Sequence, residues 1–242
     1  MKTNLYTIGA GLGLIALAGC SSKSNYVAKP PAKIAEVTIA AGKEAELWPM
    51  QVGNQWVYEA ETAAQTTQGS GNDNKDIRFK VSKSNTVDGV TTATLDIYDG
   101  EKLLDQTEWR VDKTGVYQTK STKLTLSYNP PQPIIKFPIE TGKEFTYTGT
   151  GPVPMGKNMI GNQTLKGVIL GPQEIDTASG RISAIAVQTT ITHKKDNQTA
   201  VTVTTAWLVP GKGLVRYRQE TQSGQNRAMQ LFKLKDFVGS KS

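Results

Sequence analysis

From residue 47 onward, apolar and polar side chains alternate with a period of two. Trp56, Tyr58 and Ala60 fall on one side of an extended chain, and Val57, Glu59 and Glu61 on the other. Ile77, Phe79 and Val81 alternate in the same way with Arg78, Lys80 and Ser82. The run 90–111 reads as a hairpin turning at Asp99-Gly100, a strong turn dipeptide, and 181–209 as another turning near Lys195-Asp196-Asn197. Strand patterns continue through 115–129, 213–220 and 227–237, and no long segment after residue 46 carries helical periodicity. These patterns predict an all-β fold, a mainly antiparallel sheet or open barrel. Residues 69–75 and 149–163, rich in Gly, Asn and Pro, are predicted to be loops. Residues 34–46 carry weak signals for a short strand or one helical turn.

The strand grammar is written twice. The segment LWPMQVGNQWVYEA (47–60) aligns without a gap on KFPIETGKEFTYTG (136–149). Trp48-Pro49-Met50 falls on Phe137-Pro138-Ile139, Gly53 on Gly142, and Trp56-Val57-Tyr58 on Phe145-Thr146-Tyr147. A second pair follows in the same order: Trp109-x-Val111 leading to Gly115, and Trp207-x-Val209 leading to Gly213. Two ordered landmarks predict a duplicated β-meander, with residues 47–134 as the first unit and 135–242 as the second. The units are expected to share one curved sheet or open barrel, or to stand as two small domains. In each, Pro suits strand entry, Gly permits the turn, and the paired aromatics are expected to fill a core rather than present a ligand platform.

Residues 1–19 follow a different pattern. A short positive start at Lys2 precedes an uncharged apolar run, 5–18, too short to span a bilayer comfortably. It ends in Leu17-Ala18-Gly19-Cys20. This tetrad at the end of an apolar segment resembles the lipobox of bacterial membrane lipoproteins. The resemblance implies that the chain is cut before Cys20, that Cys20 carries a diacylglyceryl thioether, and that its new amino group is acylated. Cys20 is the only cysteine, so no disulfide is expected. In that family Asp after the cysteine favours inner-membrane retention, and Ser21 here implies export to the outer membrane of a two-membrane host. Residues 20–46, small, charged and carrying Pro30-Pro31, are expected to be a flexible tether. The Gly9 to Gly13 string GAGLG mimics a dinucleotide fingerprint, but no strand precedes it.

Charge is uneven. Residues 20–134 hold 13 Lys/Arg against 14 Asp/Glu, whereas 135–242 hold 14 against 7. The basic excess of the second unit suits anionic lipid, lipopolysaccharide or another envelope protein. A candidate anion-binding patch is Arg216, Arg218, Arg227, Lys233 and Lys235. Nucleic acid is not expected as a partner of a lipid-anchored envelope protein.

Motifs for catalysis are weak. His193, the only histidine, sits beside Lys194-Lys195 and is expected to be an exposed residue near a turn. One His without free Cys cannot build a His/Cys zinc site, and no Gly-x-Ser-x-Gly elbow is present. Pro210-Gly-Lys-Gly213 lacks the spacing of a phosphate loop, and 70–76 lacks that of a calcium loop. Glu59, Glu61, Asp96 and Glu108 are expected on solvated strand faces. The form W-x-x-PGxGLV, Trp207 to Val215, is similar to a phrase of β-rich bacterial envelope proteins of unassigned function, and transfers no active site. The expectation is a lipid-anchored envelope protein with a non-catalytic binding or structural role, without catalytic residues, metal or cofactor. Two alternatives remain: a lipid or lipoprotein carrier or acceptor, resembling in architecture the half-open barrels of lipoprotein transport, and an envelope hydrolase.

Overall fold

A computed structural model describes residues 36–66, 69–154, 159–178 and 180–240. The expectations for residues 1–35, including Cys20 and most of the tether, lie outside the described residues. Twelve antiparallel strands follow one another around a closed barrel. They are β1 (Gln55–Thr66), β2 (Gly69–Val87), β3 (Val90–Asp99), β4 (Lys102–Asp112), β5 (Gly115–Ser121) and β6 (Leu126–Lys136). Then come β7 (Glu144–Pro152), β8 (Ile160–Thr177), β9 (Gly180–Lys195), β10 (Gln198–Val209), β11 (Gly213–Ser223) and β12 (Asn226–Val238). Closure comes from β1 pairing with β12, from Gln55 opposite Val238 to Gln65 opposite Arg227. The all-β expectation holds, and the barrel is closed rather than open. The Asp99-Gly100 and Lys195-Asp196-Asn197 turns join β3 to β4 and β9 to β10.

Two loop expectations are corrected. Residues 69–75 extend the hairpin: Gly69 to Lys75 pair with Thr66 to Ala60. Polar composition suggested a loop, but both faces there are exposed, so the ladder needs no apolar side chain. Gly149–Pro152 and Ile160–Gln163 likewise belong to β7 and β8, where Gly149 pairs with Gln163 and Gly151 with Gly161. Residues 155–158 lie outside the described residues. At 44–47 a single 3-10 turn forms, in place of a strand.

Six strands precede residue 137 and six follow it. Trp56 and Phe145 are each the second residue of the first strand in their half, and both are buried. Trp109 and Trp207 lie on β4 and β10, but Trp109 faces the interior whereas Trp207 lies on the outer face between Arg216 and Gln173.

Even strands start at one end of the barrel, odd strands at the other. The end carrying the β4–β5, β6–β7, β8–β9 and β10–β11 turns is closed from inside by residues 44–50. Leu47, Trp48 and Met50 are buried there, and the Trp48 ring packs on Trp109 at 4.8 Å between centroids. Backbone and side-chain bonds hold this plug: Gly211 N donates to Glu46 O, and Asn54 Nδ2 donates to Pro49 O at 2.9 Å. Beside it β1 is tied to the β10–β11 turn and to β11, Trp56 Nε1 donating to Lys212 O at 2.6 Å and Tyr58 Oη to Leu214 O at 2.7 Å. Gly213, at φ +76°, lets the turn come close to Pro49: a Cβ there would lie 2.9 Å from its Cδ. An eight-strand barrel is about wide enough for its own side chains or one small ligand, and the diameter grows with strand number. Twelve strands enclose a wider lumen, whose base the plug fills, and above it a space remains.

The β6–β7 seam is the weakest ladder, with Asn129 opposite Thr150 as its one paired position. Pro130, Pro131 and Pro133 on β6 have no N–H to give. A side chain bridges the seam instead: Tyr147 Oη donates to Pro130 O at 2.8 Å. On the other side of β7, Phe145 lies over Gly167 on β8.

Candidate ligand cavity in the barrel

Above the plug lies a cavity of about 500 Å³. That is inside the range of about 300–1,000 Å³ usual for small-molecule sites. Its character changes along its length. At the base it is lined by Trp48, Met50, Trp56, Leu95, Trp109 and Leu214. One side of the middle is aromatic: Tyr58 meets Phe79 edge-on at 4.9 Å, and Tyr217 stacks on Phe232 at 5.6 Å. Toward the opposite end the lining turns polar, with Asp105, Tyr128, Gln132, Gln163, His193 and Gln219 among its residues.

The strand period explains how these groups arrive. On β8 the inward residues run Gly161, Gln163, Leu165, Gly167, Ile169, each buried between exposed or half-buried neighbours. Gln163 and His193 sit opposite each other on β8 and β9. Gln132 Nε2 donates to Gln163 Oε1 at 2.9 Å, and Gln163 Nε2 donates to Pro152 O at 2.6 Å. His193 Nε2 shares a hydrogen bond of 3.1 Å with Thr202 Oγ1, which in turn meets Thr221 Oγ1 at 3.1 Å. Among the described residues His193 Nδ1 has no hydrogen-bond partner.

His193 is 6% exposed, which corrects the expectation of an exposed turn residue. The turn starts only after Lys195, and position 193 has inward parity, so its ring enters the barrel while Lys194 points out. Burial pushes the imidazole down to about 4, so it is neutral at pH 7. The same desolvation pushes the Tyr217 phenol up to about 12 and raises Tyr128 and Tyr58 as well. Burial thus disfavours the charged form of each of these four side chains.

The basic candidates lie on the outside. Arg216 and Lys233 are cross-strand neighbours, and the Arg216 guanidinium sits over the Trp207 ring at 5.2 Å. Arg218 pairs with Glu220, Lys233 with Glu61 and Lys235 with Asp76, at 2.5, 2.5 and 2.8 Å. Arg227 stands near the far end beside Gln65. Carboxylates of the same outer surface hold three of the five cations. The acidic candidates are spread over that surface too. Glu61 holds Lys233, and Glu108 holds Thr119 and Lys120. Asp96 is buried, contrary to its expected solvated face, because Gln106 and Tyr98 close over its oxygens. Outward charges at mid-strand on β1, β2, β4, β8 and β11 also distinguish this wall from a lipid-facing barrel, which needs an apolar outer band.

The expectation of a core role for Trp56, Tyr58, Phe145 and Tyr147 holds: all four are buried. Trp56 and Tyr58 also line the cavity, so packing and lining coincide there. The polar end was missed in the sequence. Its signal was available as polar residues at inward parity, Gln163 in GNQTLKGVI and Gln219 in LVRYRQE.

The chain matches no protein-family profile and no curated protein. Among solved structures it is similar to a "putative lipoprotein" from Parabacteroides distasonis, with 12% identity, TM-score 0.44, and coverage of 79% of this chain and 98% of that one. It is similar to a "putative exported protein with YmcC-like fold" from Bacteroides fragilis, with 13% identity, TM-score 0.43 and the same coverages of 79% and 98%. A third likeness is to the hypothetical lipoprotein YmcC from Escherichia coli, with 11% identity, TM-score 0.35, and coverage of 76% and 86%.

Proposed function

We propose that the protein is a lipid-anchored lipoprotein of the cell envelope whose barrel binds a small amphiphile without transforming it. The cavity carries this reading: about 500 Å³ with an aromatic base and a polar far end. An acyl or similar chain would bury its methylenes against Trp48, Trp109 and Leu214, at about 0.8 kcal/mol each. The Leu17-Ala18-Gly19-Cys20 tetrad supports the anchor, and Ser21 supports an outer-membrane address. Two or three chains on Cys20 would hold the protein stably at a bilayer. The charged outer wall supports a barrel standing in water above that surface rather than within it. The cavity favours carriage or reception over a purely structural role. The hydrolase reading gains no support from His193, whose ring bonds Thr202 rather than a serine.

Two measurements test the reading. Cys20→Ser should abolish palmitate labelling and release the chain from membranes; retained labelling refutes the anchor. Ala206 is buried on the cavity wall, so Ala206→Trp should fill the space and abolish calorimetric binding of glyceryl monolaurate. Binding that survives this filling refutes the cavity as the site.

A further inference from the structure

The cavity selects among amphiphiles by charge. Among the described residues that line it there is no Lys or Arg, and Asp105 is the one formally charged side chain. The chain has 28 Lys and Arg to spend, yet those on strands near this space point outward, and several are held by outer carboxylates. A carboxylate or phosphate drawn into the barrel would lose its hydration and find no cation among the described lining residues to replace it, a combination with a heavy penalty. It would also approach the Asp105 carboxylate.

Uncharged hydrogen-bonding groups meet the opposite situation. Two carboxamides, Gln132 and Gln163, stand joined on the wall, with the His193 ring opposite Gln163. His193 Nδ1 is buried with no partner among the described residues, and an orphaned polar atom of this kind is rare in a folded core. Neutral imidazole, amide and hydroxyl groups together can both donate and accept, which suits a hydroxyl or an amide. The base, by contrast, offers aromatic rings.

We infer that the far end of the cavity, around Gln132, Gln163 and His193, recognises an uncharged hydroxyl- or amide-bearing head group, with the apolar tail directed at Trp48 and Trp109. The cargo class is therefore a neutral amphiphile, such as a monoacylglycerol, rather than a fatty acid or phospholipid. This inference rests on the cavity-binding reading above. The direction of the buried tyrosine and histidine shifts agrees with it, since the same surroundings oppose both an anion and a cation.

The test uses the full chain carrying Cys20→Ser, free of detergent, and a set of probes with one common tail. Glyceryl monolaurate, methyl laurate, laurate and laurylamine are titrated below their aggregation thresholds at neutral pH. Glyceryl monolaurate should bind at least about tenfold more tightly than laurate. Methyl laurate should recover part of that gap, because it removes only the charge. Gln132→Met, which keeps the side-chain length, should weaken glyceryl monolaurate severalfold while leaving methyl laurate less affected. Laurate binding as tightly as glyceryl monolaurate overturns the inference, as does laurylamine binding most tightly, which would make Asp105 the recognition group. Equal affinity across all four overturns the head-group assignment and leaves the cavity reading standing. Absence of binding by all four overturns both.

Discussion

Tyr58 offers a sharp test of how the barrel is fastened. Its side chain is 1% exposed, and its hydroxyl donates to Leu214 O at 2.7 Å, reaching from β1 past β12 to β11. Tyr58→Phe keeps the ring, and with it the contacts to Phe79 and Phe232 at 4.9 and 6.0 Å. The substitution therefore removes one buried bond and strips an acceptor that water cannot reach. Such a loss costs about 1–3 kcal/mol. For a domain of this size, each kcal/mol lowers Tm by about 2–4 °C, so a fall of about 2–12 °C is expected in a circular-dichroism melt at pH 7. Tyr98→Phe is the control. Tyr98 is half buried and its bond is one of two that cover the Asp96 carboxylate, so its loss should cost less, about 0.5–1.5 kcal/mol. The pH dependence adds a second readout. Burial raises the Tyr58 phenol, so its contribution is complete below the unfolded value of about 10 and is lost as pH climbs toward the folded one. The gap between wild type and Tyr58→Phe should therefore narrow above about pH 10. A Tyr58→Phe shift no larger than that of Tyr98→Phe would refute the claim that this bond helps to fasten β1 across the base.

Three further outcomes follow from particular contacts. His193 is depressed to about 4 when folded, against about 6.5 unfolded, so its neutral burial stabilises fully above pH 6.5 and is lost as pH falls to 4. His193→Gln should flatten Tm across that window, where wild type declines by up to about 3 kcal/mol; parallel pH curves would refute it. Gly167→Ala would set a Cβ 2.2 Å from Phe145 Cζ, so urea denaturation should reveal a loss of about 1–3 kcal/mol, partly restored by adding Phe145→Leu. An unchanged midpoint would refute the packing of Phe145 on β8. Trp48→Ala removes the ring packed at a tilt against Trp109 and should cost about 3–5 kcal/mol, while deepening the cavity so that longer tails gain affinity over lauryl ones. Unaltered chain-length preference would refute the placement of the tail at the base.

Much of the wall was legible because period two is a local property. The parities of Trp56, Tyr58, Ile77, Phe79 and Val81 follow from alternation alone, and so does the outward set Arg78, Lys80 and Glu59. Closure was less legible. It depends on Gln55–Gln65 finding Val238–Arg227, partners at opposite ends of the sequence, and no local pattern encodes that register. The loop expectations failed for a related reason. In 69–75 the ladder is made by backbone groups with both faces wet, so the apolar signal that usually betrays a strand has no cause to appear.

The same reasoning explains why the sequence draws attention to the outer surface and not to the cavity. Basic residues are conspicuous in a sequence, and Arg216, Arg218, Lys233 and Lys235 share an outward parity that groups them. On the folded wall most of that charge meets Glu220, Glu61 and Asp76, and the last two come from β1 and β2 and cannot be counted from 216–235 alone. The interior groups are quiet by comparison. A glutamine or threonine at inward parity looks like noise in an apolar stripe until closure turns that stripe into the lining of a lumen. A twelve-strand wall makes the distinction matter, because barrel diameter grows with strand number and leaves more space to line. In a barrel filled by its own side chains Gln132, Gln163 and His193 would be buried polar groups needing only each other. Here the same three residues border open space, and that juxtaposition, more than any motif, directs the search for function toward what the space admits.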